Sequence, residues 1–273
     1  MLSSKCLLMD PSIILFWNVR GLNSVARQDS VRSLVESVRA DIICLQETKM
    51  QSCSRRLVLS LLGPDFDNNF VTLNSVGASG GVLLAWRSKL GAIVDSRVDV
   101  FSVSVKFCPT IGDEWWLTCV YGPQGNDRKL MFMQELRLIR ANCAGPWIVG
   151  GDFNLIYRDE DKNNPNLNRF MMGRFRRCIQ DLGIKDIDLH GRKFTWSGAH
   201  DVLVRLDRVF CFVEWEQKFP DFLLQCSASE GSDHCPLLGL KDNLRGKRRF
   251  NFESFWTKFE GFHDAVSNAW HSV

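Results

Sequence analysis

Polar side chains that could carry out chemistry on phosphate esters recur where the apolar, strand-like runs of this chain end. They are Asn18, Glu47, Tyr121, Asp152, Asn154, Asp207, Asp233 and His234. A rigid sheet brings its strand ends to one edge, where α/β proteins build their sites. One such residue alone would mean little, because isolated carboxylates and histidines are usually solvated or satisfied structurally. The set as a whole predicts a single site.

These residue types match the needs of phosphodiester hydrolysis. Glu47 offers oxygens to a divalent cation, and Mg²⁺ prefers one or two carboxylates plus waters. Asp152 is suited to activating a water, and Asn154 lies on the same side of an extended segment. His234 can stabilise charge on phosphoryl oxygens when a carboxylate orients it. Lys49, close to Glu47, could face a phosphate.

The elements that must position these residues alternate between strand and helix patterns. The predicted strands are 12–17, 41–46, 80–86, 92–97, 100–107, 115–121, 146–150, 194–196, 204–210 and 236–240, and the predicted helices are 24–39, 127–141 and 169–182. Ser24 is the expected N-cap of the first helix. The strands between residues 80 and 107 are expected to form one antiparallel run. This mixed order favours an α/β fold with two packed sheets and helices outside.

Composition limits the classes of protein that fit. The 273 residues are 45% hydrophobic and 24% charged, which is ordinary for a globular domain. The net charge of +3 permits a polyanionic partner but does not indicate one. The ten cysteines form no C-x-x-C pair, which argues against a zinc ribbon and favours a reducing compartment. No secretory signal or membrane span is expected, so we predict an intracellular protein without a membrane partner.

Seven short motifs occur in a fixed order. They are WNVRGL (17–22), LQETK (45–49), VYGP (120–123), GGDFN (150–154), FTWS (194–197), RLDR (205–208) and SDHCP (232–236). Each is weak alone, but the ordered set resembles the motif series of the endonuclease/exonuclease/phosphatase superfamily over about residues 12 to 240. The resemblance implies a four-layered α/β sandwich, in which two packed mixed sheets are flanked by helices.

The resemblance also implies a metal side of the site. Glu47 would be the metal ligand, Asn18 would lie beside it, and Asp233 would be a second acid on that side. The cofactor would be Mg²⁺, with Mn²⁺ as a substitute. Thr195 and Ser232 would support the phosphate and the local backbone.

Roles on the catalytic side follow from the same resemblance. Asp152 would orient the attacking water and Asn154 would hold the scissile phosphate. Tyr121 would contact the phosphate or donate a proton. His234 would stabilise the phosphate, with Asp207 as the carboxylate that orients it.

Within the superfamily, the amino-acid sequences of the motifs resemble those of plant LINE-type (non-LTR) retrotransposon endonucleases. Arg20 favours this branch, because repair-type abasic-site endonucleases typically place an acid there. The resemblance implies three domains of the sequence: an extension (1–11), the catalytic domain (12–241) and a basic, aromatic linker or docking segment (242–273). The partner domain would be a reverse transcriptase, absent from this chain, which would then be a truncated element. A DNA substrate implies action in the nucleus, with the cytoplasm as the alternative.

Three other functions remain open from the sequence. They are repair of abasic sites, hydrolysis of a small phosphate ester, and a catalytically silent DNA-binding remnant. Several groups are expected to be structural or solvated: His190, His200, His263 and His271, the glycine-rich turn 77–81, and the basic face formed by Arg169, Arg174, Arg176 and Arg177. Residues 198–203 are predicted to form a hairpin tip.

Overall fold

The computed structural model describes residues 13–77, 79–110, 112–228, 232–241 and 261–271. The predicted N-terminal extension 1–11 and the basic and aromatic segment 242–260 lie outside the described residues. The side chains of His263 and His271 also lie outside them. The three-domain division of the sequence therefore stays a prediction.

Six α-helices form in the described residues. They are α1 (Val25–Val38), α2 (Arg55–Leu62), α3 (Asn126–Asn142), α4 (Arg169–Leu182), α5 (Val213–Lys218) and α6 (Phe262–His271). The predicted N-cap is confirmed, because the Ser24 side chain accepts a hydrogen bond from the backbone N–H of Arg27. Asn168 caps α4 in the same way through the N–H of Met171. None of the described helices has the length and apolar character needed to cross a membrane.

The strands are numbered in chain order. They are β1 (Ile13–Asn18), β2 (Ile42–Gln46), β3 (Phe70–Leu73), β4 (Val82–Trp86), β5 (Ala92–Val98), β6 (Ser102–Cys108), β7 (Trp115–Tyr121), β8 (Trp147–Asp152), β9 (Lys185–Asp186), β10 (Leu189–His190), β11 (Trp196–Ser197), β12 (Leu203–Val204), β13 (Asp207–Cys211), β14 (Phe222–Cys226) and β15 (Leu237–Lys241). One sheet has the order β10-β14-β15-β1-β2-β4-β3, and the other has the order β5-β6-β7-β8-β13-β9. The strands β11 and β12 form a separate hairpin.

Strand direction determines what meets at one edge of the paired sheets. The strands β1 and β2 are parallel, as are β7 and β8. The strands β15 and β13 run antiparallel to β1 and β8. The carboxyl ends of four strands therefore lie beside the amino ends of two others. Every predicted site residue lies at or beside one of these ends or in the β11–β12 hairpin region.

Three hydrophobic clusters lie between four layers, which confirms the predicted sandwich. The central cluster joins the two sheets and includes Phe16, Trp115 and Val209. A second cluster packs α1 and α2 against the first sheet, and a third packs α3 and α4 against the second sheet. The nine cysteines in the described residues are free.

One expectation about strand order is wrong. Residues 80–107 do not form a single antiparallel run, because β4 belongs to the first sheet while β5 and β6 belong to the second. A turn of 3₁₀ helix at Ser88–Leu90, followed by Gly91 at φ 96°, carries the chain from one sheet to the other. Apolar patterning shows that a strand is buried but not which sheet it joins. The pattern also missed α2, α5, β3 and β14.

A close approach of the two sheets generates a stability prediction. A Cβ at Gly150 would lie 2.6 Å from the ring of Phe16, which is 1% exposed in the central cluster. We expect Gly150→Ala to lower the free energy of unfolding by roughly 1–3 kcal/mol, because the core would be overpacked. Gly173→Ala is the matched control: a Cβ there meets no atom within 4 Å, and the residue lies within α4. That change should stabilise by roughly 0.5–1 kcal/mol. Urea denaturation measures both free energies of unfolding. Equal changes in Gly150→Ala and Gly173→Ala would show that the core has room for a Cβ at Gly150.

Candidate active site

The converging strand ends open into a cleft of about 500 Å³. Among the predicted site residues, its wall contains Glu47, Tyr121, Asp152, Asn154 and His234. These side chains lie at or just after the ends of β2, β7 and β8 and in the segment before β15, so residues far apart in sequence are brought together.

A buried carboxylate–imidazole pair lies at one side of the cleft. The Nδ1 atom of His234 lies 2.9 Å from Asp207 Oδ2, and its Nε2 atom lies 3.8 Å from Asp152 Oδ2. Asp207 and Asp152 are opposite each other in the β13–β8 register. The exposed fractions of Asp152, Asp207 and His234 are 1%, 2% and 6%. The imidazole therefore lies between two buried carboxylates and is oriented by Asp207, as predicted.

This arrangement shifts the protonation of both Asp152 and His234. Burial raises the pKa of Asp152 to about 6, with the charge of Asp207 adding to the rise and that of His234 opposing it. Burial alone would lower the pKa of His234, but the carboxylates of Asp207 and Asp152 outweigh it and raise the pKa to about 9. At neutral pH Asp152 is therefore mostly an ionised base and His234 mostly an imidazolium.

Two asparagines fix the Asp152 carboxylate. The side-chain amide of Asn18 donates to Asp152 Oδ2 at 2.8 Å. The backbone N–H of Asn154 donates to Oδ1 at 2.9 Å, and the Asn154 amide donates to Oδ2 at 3.2 Å. The same amide donates to the carbonyl of Gly122 at 2.7 Å, so Asn154 ties the end of β8 to the loop after β7. Asp152 thus has a single orientation toward the cleft.

Glu47 forms the opposite side of the site together with Tyr121 and Lys49. Lys49 Nζ lies 2.9 Å from Glu47 Oε1, so Lys49 pairs with this carboxylate. Burial acts to raise the pKa of Glu47, but hydrogen bonds from Lys49 and Asn18 and the charges of Lys49 and Arg20 lower it. Burial raises the pKa of Tyr121, as do the charges of Glu47 and Asp152, so its phenol keeps its proton. Glu47 is ionised and accepts hydrogen bonds or a cation.

The backbone is strained on both sides of the site. Arg20, Glu47, Lys49 and Asn154 have φ angles of 51°, 53°, 56° and 50°, in the left-handed region that side chains rarely adopt. Such residues cost about 1–3 kcal/mol each and persist where surrounding bonds enforce them. The carbonyls of Gly81 and Gly80 accept from the N–H groups of Thr48 and Lys49 at 3.1 and 3.0 Å. The glycine-rich turn therefore supports the Glu47 loop as well as joining β3 to β4.

Thr195 is expected to support the phosphate and the local backbone, and its contacts in the structure are with the backbone. Its hydroxyl is fully buried and accepts from the N–H groups of Leu206 and Asp207, both at 3.0 Å. Thr195 therefore holds the start of β13, and its support of the phosphate stays a prediction. Ser232 has a similar place, because its hydroxyl donates to the carbonyl of Asn18 at 2.8 Å and accepts from the N–H of His234 at 3.1 Å.

Asp233 lies in an unexpected pair. Its Oδ2 atom accepts from the Arg20 guanidinium and, at 2.8 Å, from the indole N–H of Trp196. Its Oδ1 atom is buried and has no hydrogen-bonding partner among the described residues. Arg20 and Trp196 both line the cleft, as do Lys129 and Lys162. Sequence patterns missed these four because no spacing distinguishes a cleft-facing cation or indole from a surface one.

The remaining surface expectations agree with the structure where it describes them. His190 and His200 are exposed, and so are the four arginines of α4. Residues 198–202 join the paired β11 and β12, which confirms the hairpin tip.

Comparisons with known proteins agree with this geometry. The sequence profile of the Endonuclease/Exonuclease/phosphatase family matches residues 15–234. The chain belongs to this family. The predicted enzyme class, a hydrolase acting on phosphoric esters, is thereby confirmed. An exodeoxyribonuclease of Bacillus subtilis (strain 168) is 26% identical over 250 residues, which cover 82% of this chain and 97% of that protein.

Solved structures share the fold. The AP endonuclease LMAP from Leishmania major has a TM-score of 0.64 and 17% identity, over 84% of this chain and 87% of its own. The endonuclease domain of TRAS1, a telomere-specific non-LTR retrotransposon, has a TM-score of 0.59 and 13% identity, over 84% of this chain and 97% of its own. At these identities the likeness concerns the four-layered fold alone.

The His234–Asp207 contact generates a prediction about protonation. In Asp207→Asn we expect the pKa of His234 to fall by roughly 1–3 units, because the burial that lowers it would lose its main opposing charge. An NMR titration of the imidazole in protein without metal or DNA measures this value. Asp233→Asn, which removes a weaker influence on the ring, should produce a smaller fall. An unchanged value in Asp207→Asn would mean that this carboxylate does not hold the imidazolium.

Proposed function

We propose that this protein is a metal-dependent endonuclease that nicks duplex DNA. The observation that carries the proposal is the position of Asp152, a raised-pKa carboxylate fixed by two asparagines and lying 3.8 Å from the His234 imidazolium in an open cleft. A base and a cationic hydrogen-bond donor on one side of a cleft suit attack of water on a phosphodiester.

The roles follow from protonation and contacts. Asp152 accepts a proton from the attacking water, since its pKa of about 6 makes it a competent base near neutral pH. His234 donates to a phosphoryl oxygen and stabilises its developing charge, and Asp207 keeps it protonated and oriented. Asn154 positions Asp152 and contacts the scissile phosphate. Tyr121, which keeps its proton, donates a hydrogen bond to the phosphate.

The donor set fits a divalent cation on the Glu47 side. Glu47 is ionised, lines the cleft and already attracts the ammonium of Lys49. Carboxylate and amide oxygens are the ligands that Mg²⁺ prefers, with Mn²⁺ as a substitute. Asp152, Asp207 and His234 also lie close enough together to be considered as a metal site. Their burial and the imidazole–carboxylate bond disfavour Mg²⁺, which retains several waters. We therefore assign the cation to Glu47, with Asn18 and Asp233 beside it, where it would neutralise charge on the phosphate.

We further propose a LINE-type retrotransposon origin for this endonuclease. The amino-acid sequences of the motifs support this origin, and the TRAS1 endonuclease domain shares the fold. In such an element the nick leaves a 3′-hydroxyl that primes reverse transcription, so the original partner would be a reverse transcriptase and the site of action the nucleus.

Cleavage at abasic sites is the second candidate. The wall of the cleft also includes Leu155, Met171, Val204 and Leu206, which could receive an apolar or base-free sugar. A strong preference for abasic over intact duplex would favour this candidate over the retrotransposon proposal.

Nicking of supercoiled plasmid tests the proposed function. We expect the wild type to convert plasmid to open circles with Mg²⁺ and to stop in EDTA, while Asp152→Ala and His234→Ala lose at least roughly 100-fold in rate, the usual size of a general acid–base contribution. Exposed His190→Ala is the matched control and should nick normally. Nicking that persists in EDTA would contradict the metal-dependent reaction. Hydrolysis of small phosphate esters without nicking of DNA would contradict the DNA substrate. Absence of any activity in folded protein would contradict the enzymatic role.

A further inference from the structure

Arg20 occupies a constrained position on the cleft wall. It follows β1 closely, and its backbone is held at φ 51° while its N–H donates to Asn18 Oδ1 at 3.0 Å. Its side chain is 47% exposed and lines the cleft with Glu47 and Asp152. A left-handed backbone at a residue other than glycine persists where surrounding contacts enforce it, so neighbouring groups fix Arg20 beside the cleft.

A series of contacts holds the Arg20 guanidinium in place. One of its nitrogens, Nη1, bonds to Asp233, and Asp233 is itself held by the indole of Trp196. Trp196 is in turn bridged through its backbone to His234. Among the described residues, the guanidinium donates a hydrogen bond to Asp233 through one nitrogen, Nη1. Since a guanidinium carries five N–H donors, most remain for a ligand in the cleft.

The charge of Arg20 reaches the centre of the site. It lowers the pKa of Glu47 and acts in the same direction on Tyr121. The guanidinium therefore lies close to Glu47, the proposed metal ligand, and to Tyr121, the proposed phosphate contact. A planar guanidinium binds phosphate oxygens through paired hydrogen bonds better than an ammonium does.

We propose that Arg20 binds a phosphate of the substrate backbone, as a permanent cation that the chain supplies independently of the metal. The inference rests on the proposed function, because it requires a phosphodiester in the cleft. Asp233 and Trp196 position Arg20, because both the guanidinium and the indole N–H bond to Asp233 Oδ2.

Binding without metal tests the role of Arg20 directly. A fluorescent intact DNA duplex is titrated with protein in EDTA over a range of NaCl concentrations, for the wild type, Arg20→Ala and Arg20→Lys. We expect Arg20→Ala to weaken binding by roughly 10- to 100-fold, the loss of one charge-assisted contact. It should also reduce the slope of log K against log[salt] by about one. Arg20→Lys should keep the slope and lose part of the affinity.

Two further variants separate phosphate binding from a structural role. Arg137→Ala removes another half-exposed arginine paired with an aspartate, Asp181, near the end of α4 opposite the cleft, and should leave slope and affinity unchanged. In the double variant Arg20→Ala/Asp233→Ala no acid is left unpaired, so a purely structural pair would recover wild-type binding. We expect no recovery of the slope.

The outcomes are distinguishable from failure of the proposed function. If the wild type binds and nicks DNA while Arg20→Ala retains the wild-type affinity and slope, Arg20 is only the partner of Asp233 and the inference is overturned. If the wild type neither binds nor nicks DNA, the proposed function fails and the inference with it. Loss of Mn²⁺ affinity in Arg20→Ala, measured without DNA, would show a collapsed site and would also contradict the inference.

Discussion

Two carboxylates, Asp152 and Asp207, are buried on neighbouring strands and share one imidazole. Burying an ionised carboxylate is costly unless a partner compensates it, and two close together repel each other. His234 resolves both problems by remaining protonated between them. In the proposed reaction this dependence also sets the chemistry, because Asp152 would act as the base near neutral pH and the protonated His234 would donate a hydrogen bond. The rest of the site is arranged to keep these three groups in register.

The fold meets this constraint through strand pairing. The β8–β13 register places the two aspartates opposite each other, and Thr195 fixes the backbone where β13 begins. Ser232 joins His234 to the end of β1. Below the cleft, the buried Arg208 pairs with Asp161 and Asp186 and anchors the loop before α4. Removing one member of such a buried network leaves uncompensated charge, so positions far from the cleft can disturb the site.

Much of the site could be predicted from the sequence, because the ordered motifs contain the polar residues that lie at the strand ends. The strand ends at Asn18, Tyr121 and Asp152 could be predicted, since apolar runs stop abruptly at polar residues. The assignment of β4 and β5 to different sheets could not, because apolar patterning does not encode which sheet a strand joins. The contact between Arg20 and Asp233 joins residues 213 positions apart, and the backbone at Arg20 is left-handed. No local pattern reports such a contact.

We propose that the site has a metal side at Glu47 and a proton-handling side at Asp152, His234 and Asp207. Mn²⁺ binding to the protein without DNA, followed by the electron paramagnetic resonance signal of the free ion, tests this division directly. Glu47→Gln should weaken Mn²⁺ binding by about 10-fold or more, whereas Asp207→Asn should change it by less than about 2-fold. Loss of Mn²⁺ binding in Asp207→Asn with retention in Glu47→Gln would place the cation in the buried trio and contradict the account.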